Sequence, residues 1–194
     1  GVGGAGIKRY ALRPGDNPSA KARNPGSAQP VDEPRKLPAL DAEVAPLVQE
    51  VLQADDKRQT ELIVQYQESR GVLYTQALAA IIHRLDGAPK TAARDALAER
   101  LYRMTPQTLR DKLKDDDQEV RSAAALACEM KKDTQYVPDL IPCLEDMDRR
   151  VARAAYLALK SITKQDFGPA ATANAEDRTK ATAAWKEWWK KQNP

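Results

Sequence analysis

The chain has 194 residues, is 42% hydrophobic and only 5% aromatic, and carries a formal net charge of +3. That length supports one ordinary domain with a real core, and the alanine-rich, aromatic-poor composition favours close helix packing over sheets. Two cysteines and a single histidine exclude a disulfide framework and any multi-histidine metal site.

Residues 1–40 hold six of the 13 prolines and six of the nine glycines. They carry seven lysines and arginines against three acids, so they sum to +4 and leave −1 for the remaining 154 residues. No apolar periodicity survives there, and an extended or disordered basic arm is expected. The letters GVGGAG at residues 1–6 fit a dinucleotide-binding fingerprint, but no strand precedes them and no helix of a βαβ unit follows.

From residue 41 the composition turns to Ala, Leu, Lys and Glu. Apolar spacing predicts helices over 41–54, 56–69, 72–85, 89–104, 106–114, 117–131, 136–145, 148–163 and 176–192. Pro46, Pro89, Pro106 and Pro138 fall in or near first turns, and Gly71 and Gly87 follow expected C-termini. Connections of two to four residues make neighbours antiparallel, except the turn-rich stretch 164–175. The run Val72–Ile82 is too short to span a membrane and is interrupted by Gln76. The first residue is Gly1 rather than Met, so the expected setting is either the cytoplasm or outside it, after removal of an N-terminal signal.

An internal repeat is the strongest signal. LRDKLKDDDQEVRSAAALA from Leu109 lies over LIPCLEDMDRRVARAAYLA from Leu140 at an offset of 31. Leu109 falls on Leu140, Leu113 on Leu144, Asp117 on Asp148, Val120 on Val151 and Ala124 on Ala155. Each unit is a short helix, an acidic turn and a longer Ala-rich helix. Val151, Ala154, Ala155, Ala158 and Ile162 form one small-residue face, and Asp117 and Asp148 stand where N-caps are needed. Asp116 with Glu119 is an alternative capping-box register. No unit closes a core alone, so the units must stack.

These residues resemble HEAT repeats, especially the short kind shared with bilin-lyase-like repeat proteins. The clearest repeats are 106–134 and 137–163; 72–104 matches loosely and 41–69 only as a hairpin. The body is also similar to small bacterial HEAT-repeat proteins that end in a Trp-rich helix. The resemblance implies an all-α, right-handed, armadillo-like solenoid of about four helical hairpins over residues 41–194, closed by a capping helix at 176–192. It also implies that Arg121 pairs with a turn aspartate, and Arg121 stands with the residues below as a candidate for binding. The second repeat has Ala152 at that place and Arg153 one later, so no regular Asp–Arg ladder is expected. The di-iron hydroxylases built on such repeats need several His-Glu pairs, which this sequence lacks.

Candidate sites follow. Arg149, Arg153, Tyr156 and Lys160 share a helical stripe that could hold an acidic peptide or a phosphate backbone. One repeat earlier the same places carry Gln118, Ser122, Ala125 and Glu129, so the stripe does not continue. A solvated face is the plainer reading. Trp185, Trp188 and Trp189 crowd the last helix, as an aromatic platform or, more simply, as a terminal cap with Phe167 in the preceding loop. The acidic turns lack calcium-loop spacing and read as caps; Asp166-Phe167-Gly168 copies a kinase triplet with no other kinase element. His83 sits in an apolar helical run with no catalytic partners and reads as structural.

The expectation is a non-catalytic scaffold with no cofactor and no metal. It would bind a protein partner through the concave face, which the second helices should line, or through the arm. Nucleic-acid binding through the arm and the Arg149/Arg153/Lys160 stripe is the runner-up, and a lyase-like chromophore handler is the third reading.

Overall fold

A computed structural model describes residues 39–194, so the expectation for the arm lies outside the described residues except at its last two positions. The described chain is helical and contains no strand. The helices are α1 (Ala45–Gln53), α2 (Asp56–Glu68), α3 (Val72–Ile82), α4 (Gly87–Tyr102), α5 (Pro106–Lys112), α6 (Gln118–Lys131), α7 (Val137–Cys143), α8 (Arg149–Thr163) and α9 (Ala175–Gln192). A 3-10 turn, Thr134–Tyr136, leads into α7. Boundaries agree with the periodicity to within four residues at either end. The largest shift is at α1, where Pro46 sits in the first turn and fixes the start at Ala45 rather than residue 41.

The helices pair as four hairpins, α1–α2, α3–α4, α5–α6 and α7–α8, with α9 packed on α7. The second helices α2, α4, α6 and α8 stack in sequence as one continuous layer, so the fold is a helical-hairpin solenoid.

The 31-residue register runs further back than the sequence comparison reached. Asp55, Asp86, Asp117 and Asp148 are the N-caps of all four second helices, at an unbroken interval of 31. Asp55, Asp117 and Asp148 each accept a backbone N–H of the first turn through the carboxylate, at 2.7–2.8 Å. Such a cap contributes about 1 kcal/mol by satisfying a donor that has no intrahelical partner. At Asp86 the side chain makes no cap bond, and Gly87 enters the helix at φ +57°, a conformation that disfavours a side chain.

The core is built in columns on the same register. Leu78, Leu109 and Leu140 are wholly buried, as are Ala93, Ala124 and Ala155, and Leu97, Cys128 and Leu159. Alanine at the central column lets the stacked second helices approach closely. The first hairpin places the larger Leu62 and Tyr66 at these positions, and both are buried. Cys128 and Cys143 act as small apolar residues; burial pushes their thiols up to about 12 and about 11, out of the reactive range.

Charged struts tie the hairpins together. Arg94 of α4 grips Glu119 of α6 through two hydrogen bonds, at 2.9 and 2.8 Å, and Arg150 of α8 reaches the same carboxylate at 2.6 Å. Glu119 is only 3% exposed, so the shared carboxylate at the centre of this chain is shielded from solvent while the two guanidiniums stay partly exposed. His83 Nε2 lies 3.0 Å from the Asp117 carboxylate and is structural, as expected. Arg100 closes the α2–α3 turn by donating to the carbonyls of Tyr66, Gln67, Ser69 and Gly71.

The first-helix layer is less even. Between α5 and α7, Arg110 donates to Asp139 at 3.1 Å and to Gln135 at 3.0 Å. One repeat earlier this pair is replaced by Ala79 and Thr108, and two repeats earlier by Val48 and Ala77, both fully buried. Ala79 and Thr108 cannot bridge, and α3 stands apart from α5. Two clefts of about 620 and 240 Å³ open along this seam, sharing Val72, Thr75 and Lys112.

Candidate binding site

The stripe of α8 starts at the Asp148 cap and runs along the solvent side of the last second helix. Arg149 and Arg153 are exposed, and neither has a carboxylate partner among the described residues. Tyr156 is only 9% exposed, its ring lies 5.0 Å from the Arg153 guanidinium, and its hydroxyl donates to Asp166 at 3.0 Å. Lys160 pairs with the same carboxylate at 2.6 Å. The lysine hydrogen bond leads in holding Asp166 below the ordinary carboxylate range, and Asp166 in turn raises Lys160. The stripe therefore divides. Its C-terminal half is neutralised by a loop residue, and its N-terminal half keeps two free arginines.

A third arginine joins them. Arg178 of α9 donates to the Asp146 carbonyl at 3.0 Å, and together with Arg149, Arg153 and Tyr156 it lines a cavity of about 40 Å³ closed by the loop 169–173. Its Nε is buried and has no hydrogen-bond partner. Nothing in the one-dimensional pattern linked Arg178 to the stripe, because a loop and a helix boundary separate them.

On the same outer row stands Leu157, 41% exposed, and one repeat earlier Leu126, 37% exposed. They occupy equivalent places on the adjacent helices α8 and α6. The 31-residue alignment contains this pair, but only the structure shows that it faces outward.

The remaining sequence candidates are held in the fold to different degrees. Arg121 is engaged on all sides: it donates to the Asp146 carboxylate at 2.7 and 2.9 Å and to the carbonyls of Asp115 and Asp116. This is the turn-aspartate pair that the resemblance implied. Burial opposes the charged form of Asp146, but hydrogen bonds from Arg121 and the Asp148 N–H outweigh it and hold the carboxyl low. Asp117 follows the same logic, with His83 and backbone N–H groups outweighing burial.

Trp185 is wholly buried, with its indole N–H on the Gly168 carbonyl at 2.8 Å and Phe167 edge-on at 4.9 Å. It seals the last hairpin and offers no platform. Trp188 and Trp189 are half-buried against the same cluster. Among the described residues no group of His, Cys, Asp and Glu is placed to hold a metal, and no helix is long and apolar enough to cross a membrane.

No curated protein and no solved structure matches the chain. Residues 106–186, from α5 into α9, match the family described as HEAT repeats. That range covers both units of the sequence repeat, their capped turns and most of the sealing helix, so residues 106–186 are HEAT repeats.

Proposed function

We propose that the chain is a non-catalytic protein-binding module, with its contact surface on the outer row of α6 and α8. HEAT repeats commonly mediate protein–protein interaction and are generally a scaffold rather than a catalytic fold. The observation that carries the reading is the exposed pair Leu126 and Leu157, at equivalent repeat positions on the stacked helices α6 and α8, with Leu157 one turn beyond Arg153. Folding gives no reason to expose them. An apolar pair flanked by cations complements a segment bearing apolar and acidic side chains, in the manner of an interface core with a polar rim. The basic arm of residues 1–40 is a second contact in this proposal.

A nucleic acid on the arginines is the competing reading, favoured by the two free guanidiniums. The two separate cleanly. Protein capture survives high salt and depends on the leucines, whereas phosphate-backbone binding falls steeply with salt and ignores them. The test is capture from an extract of the source organism with the full chain and with the L126D/L157D variant, at roughly 0.1 M and 1 M salt. A stoichiometric protein retained at high salt and lost with the variant is expected. Equal capture by both chains, or recovery of salt-labile nucleic acid alone, would overturn the reading.

A further inference from the structure

We infer that Arg149, Arg153 and Arg178 form a receptor for one phosphate monoester carried on a protein partner. The inference rests on the protein-binding reading and names the chemistry of one contact in it. Three guanidiniums from two helices line a single cavity, and no acidic side chain lines it. Of the acids nearby, Asp148 is paired with Arg150, Asp166 with Lys160 and Tyr156, and Asp146 with Arg121 while also feeling the charge of Arg178; Asp177, next to Arg178 in sequence, is exposed and lines a different cleft.

Repeat packing does not require this cluster. One repeat earlier, Arg149 and Arg153 are Gln118 and Ser122; two repeats earlier they are Gly87 and Thr91. Meanwhile the Arg178 Nε–H is held in a buried position with no acceptor, although its Nη1 is fixed on the Asp146 carbonyl. It is a buried donor that the chain itself leaves unsatisfied.

Charge and size choose among anions. A carboxylate brings one negative charge, while a phosphate monoester brings about 1.5 to 2 near neutral pH and three acceptor oxygens, a closer match to three forked donors. The cavity of about 40 Å³ accommodates the end of one such group. A nucleic-acid backbone presents phosphates in series, yet the neighbouring helix α6 carries Gln118, Ser122 and Glu129 where further cations would be needed. A single isolated site therefore suits a phosphorylated side chain.

The test uses the full chain, with the Arg Nε–H resonances read by NMR. The probes are inorganic phosphate, acetate, the tripeptide Ala-phosphoserine-Ala, its unphosphorylated form, and a single-stranded oligonucleotide. Phosphate and the phosphopeptide are expected to shift the Arg178 Nε–H saturably, and acetate to bind at least tenfold more weakly. Affinity for the phosphopeptide should fall as pH drops below about 6, where the phosphate loses its second charge while the arginines keep theirs. Arg149→Gln and Arg153→Gln are surface changes that leave the fold intact, and each should weaken the phosphopeptide at least tenfold.

An unshifted Nε–H, equal binding of acetate, an unchanged affinity in both variants, or an oligonucleotide that outcompetes the phosphopeptide would each overturn the inference. Leucine-dependent protein capture is scored separately, so the site can fail while the binding module stands, and the reverse.

Discussion

Trp185 tests whether the C-terminal helix is a seal. A buried tryptophan removes about 150–250 Å² from water, which at about 25 cal/mol per Å² is roughly 4–6 kcal/mol as an upper estimate. Trp185→Ala should therefore cost about 3–5 kcal/mol of local stability. Because α9 packs chiefly on α7, the loss should fall on the last hairpin and not on the whole array. Trp185→Phe keeps most of the apolar mass and loses the 2.8 Å hydrogen bond to Gly168, a cost of about 1–2 kcal/mol. Urea unfolding by circular dichroism gives the totals, and amide exchange gives the location. Protection in α9 should drop first in Trp185→Ala, with α2 to α4 unaffected. A cost below about 1 kcal/mol with α9 protection unchanged would refute the sealing role.

Two further outcomes follow from the struts. Glu119→Gln keeps the shape and removes the charge shared by Arg94 and Arg150. Both arginines are partly exposed and can rehydrate, so the cost should be about 1–3 kcal/mol, at or below the lower end for a buried pair. Arg150→Gln should cost less, since Arg94 still pairs; chemical denaturation showing the reverse order would disprove a Glu119-centred strut. Asp117 and Asp146 have depressed carboxyl values in the fold, so their contribution is fully present above about pH 4, the unfolded range, and is lost as pH falls below it. Asp146→Asn should lower stability at neutral pH and flatten the acid limb of the urea midpoint between about pH 2 and 5; an acid limb identical to that of the parent chain would count against this account.

The repeat was legible because its two best copies keep Leu, Asp, Val and Ala at matching places. In the earlier copies small changes hide the register: Pro89 stands where Val120 and Val151 stand, and Tyr66 where Leu97 does. The Asp55–Asp86–Asp117–Asp148 series was visible in principle as a bare interval of 31. The candidate site was half legible. Helical spacing grouped Arg149, Arg153, Tyr156 and Lys160, but it could not know that Asp166 folds back onto Lys160 or that Arg178 arrives from α9. Side-chain partners across a loop depend on chain path, which periodicity does not encode. The Trp cluster was legible as a cap because an array must end somewhere, and a buried indole is a ready way to end it.

The seam between α3 and α5 bears on how the array yields to force. Elsewhere the first-helix layer also contributes, through the α1–α3 contact at one end and through Arg110 with Asp139 at the other. Across the seam, Ala79 and Thr108 supply no strut, and the load passes through α4 on α6, the Arg94–Glu119 pair and the His83–Asp117 contact. Pulled from its two ends, the molecule should hinge there, with the second-helix layer as the pin and the cleft as the opening jaw. The two halves would part as blocks before either one unravels.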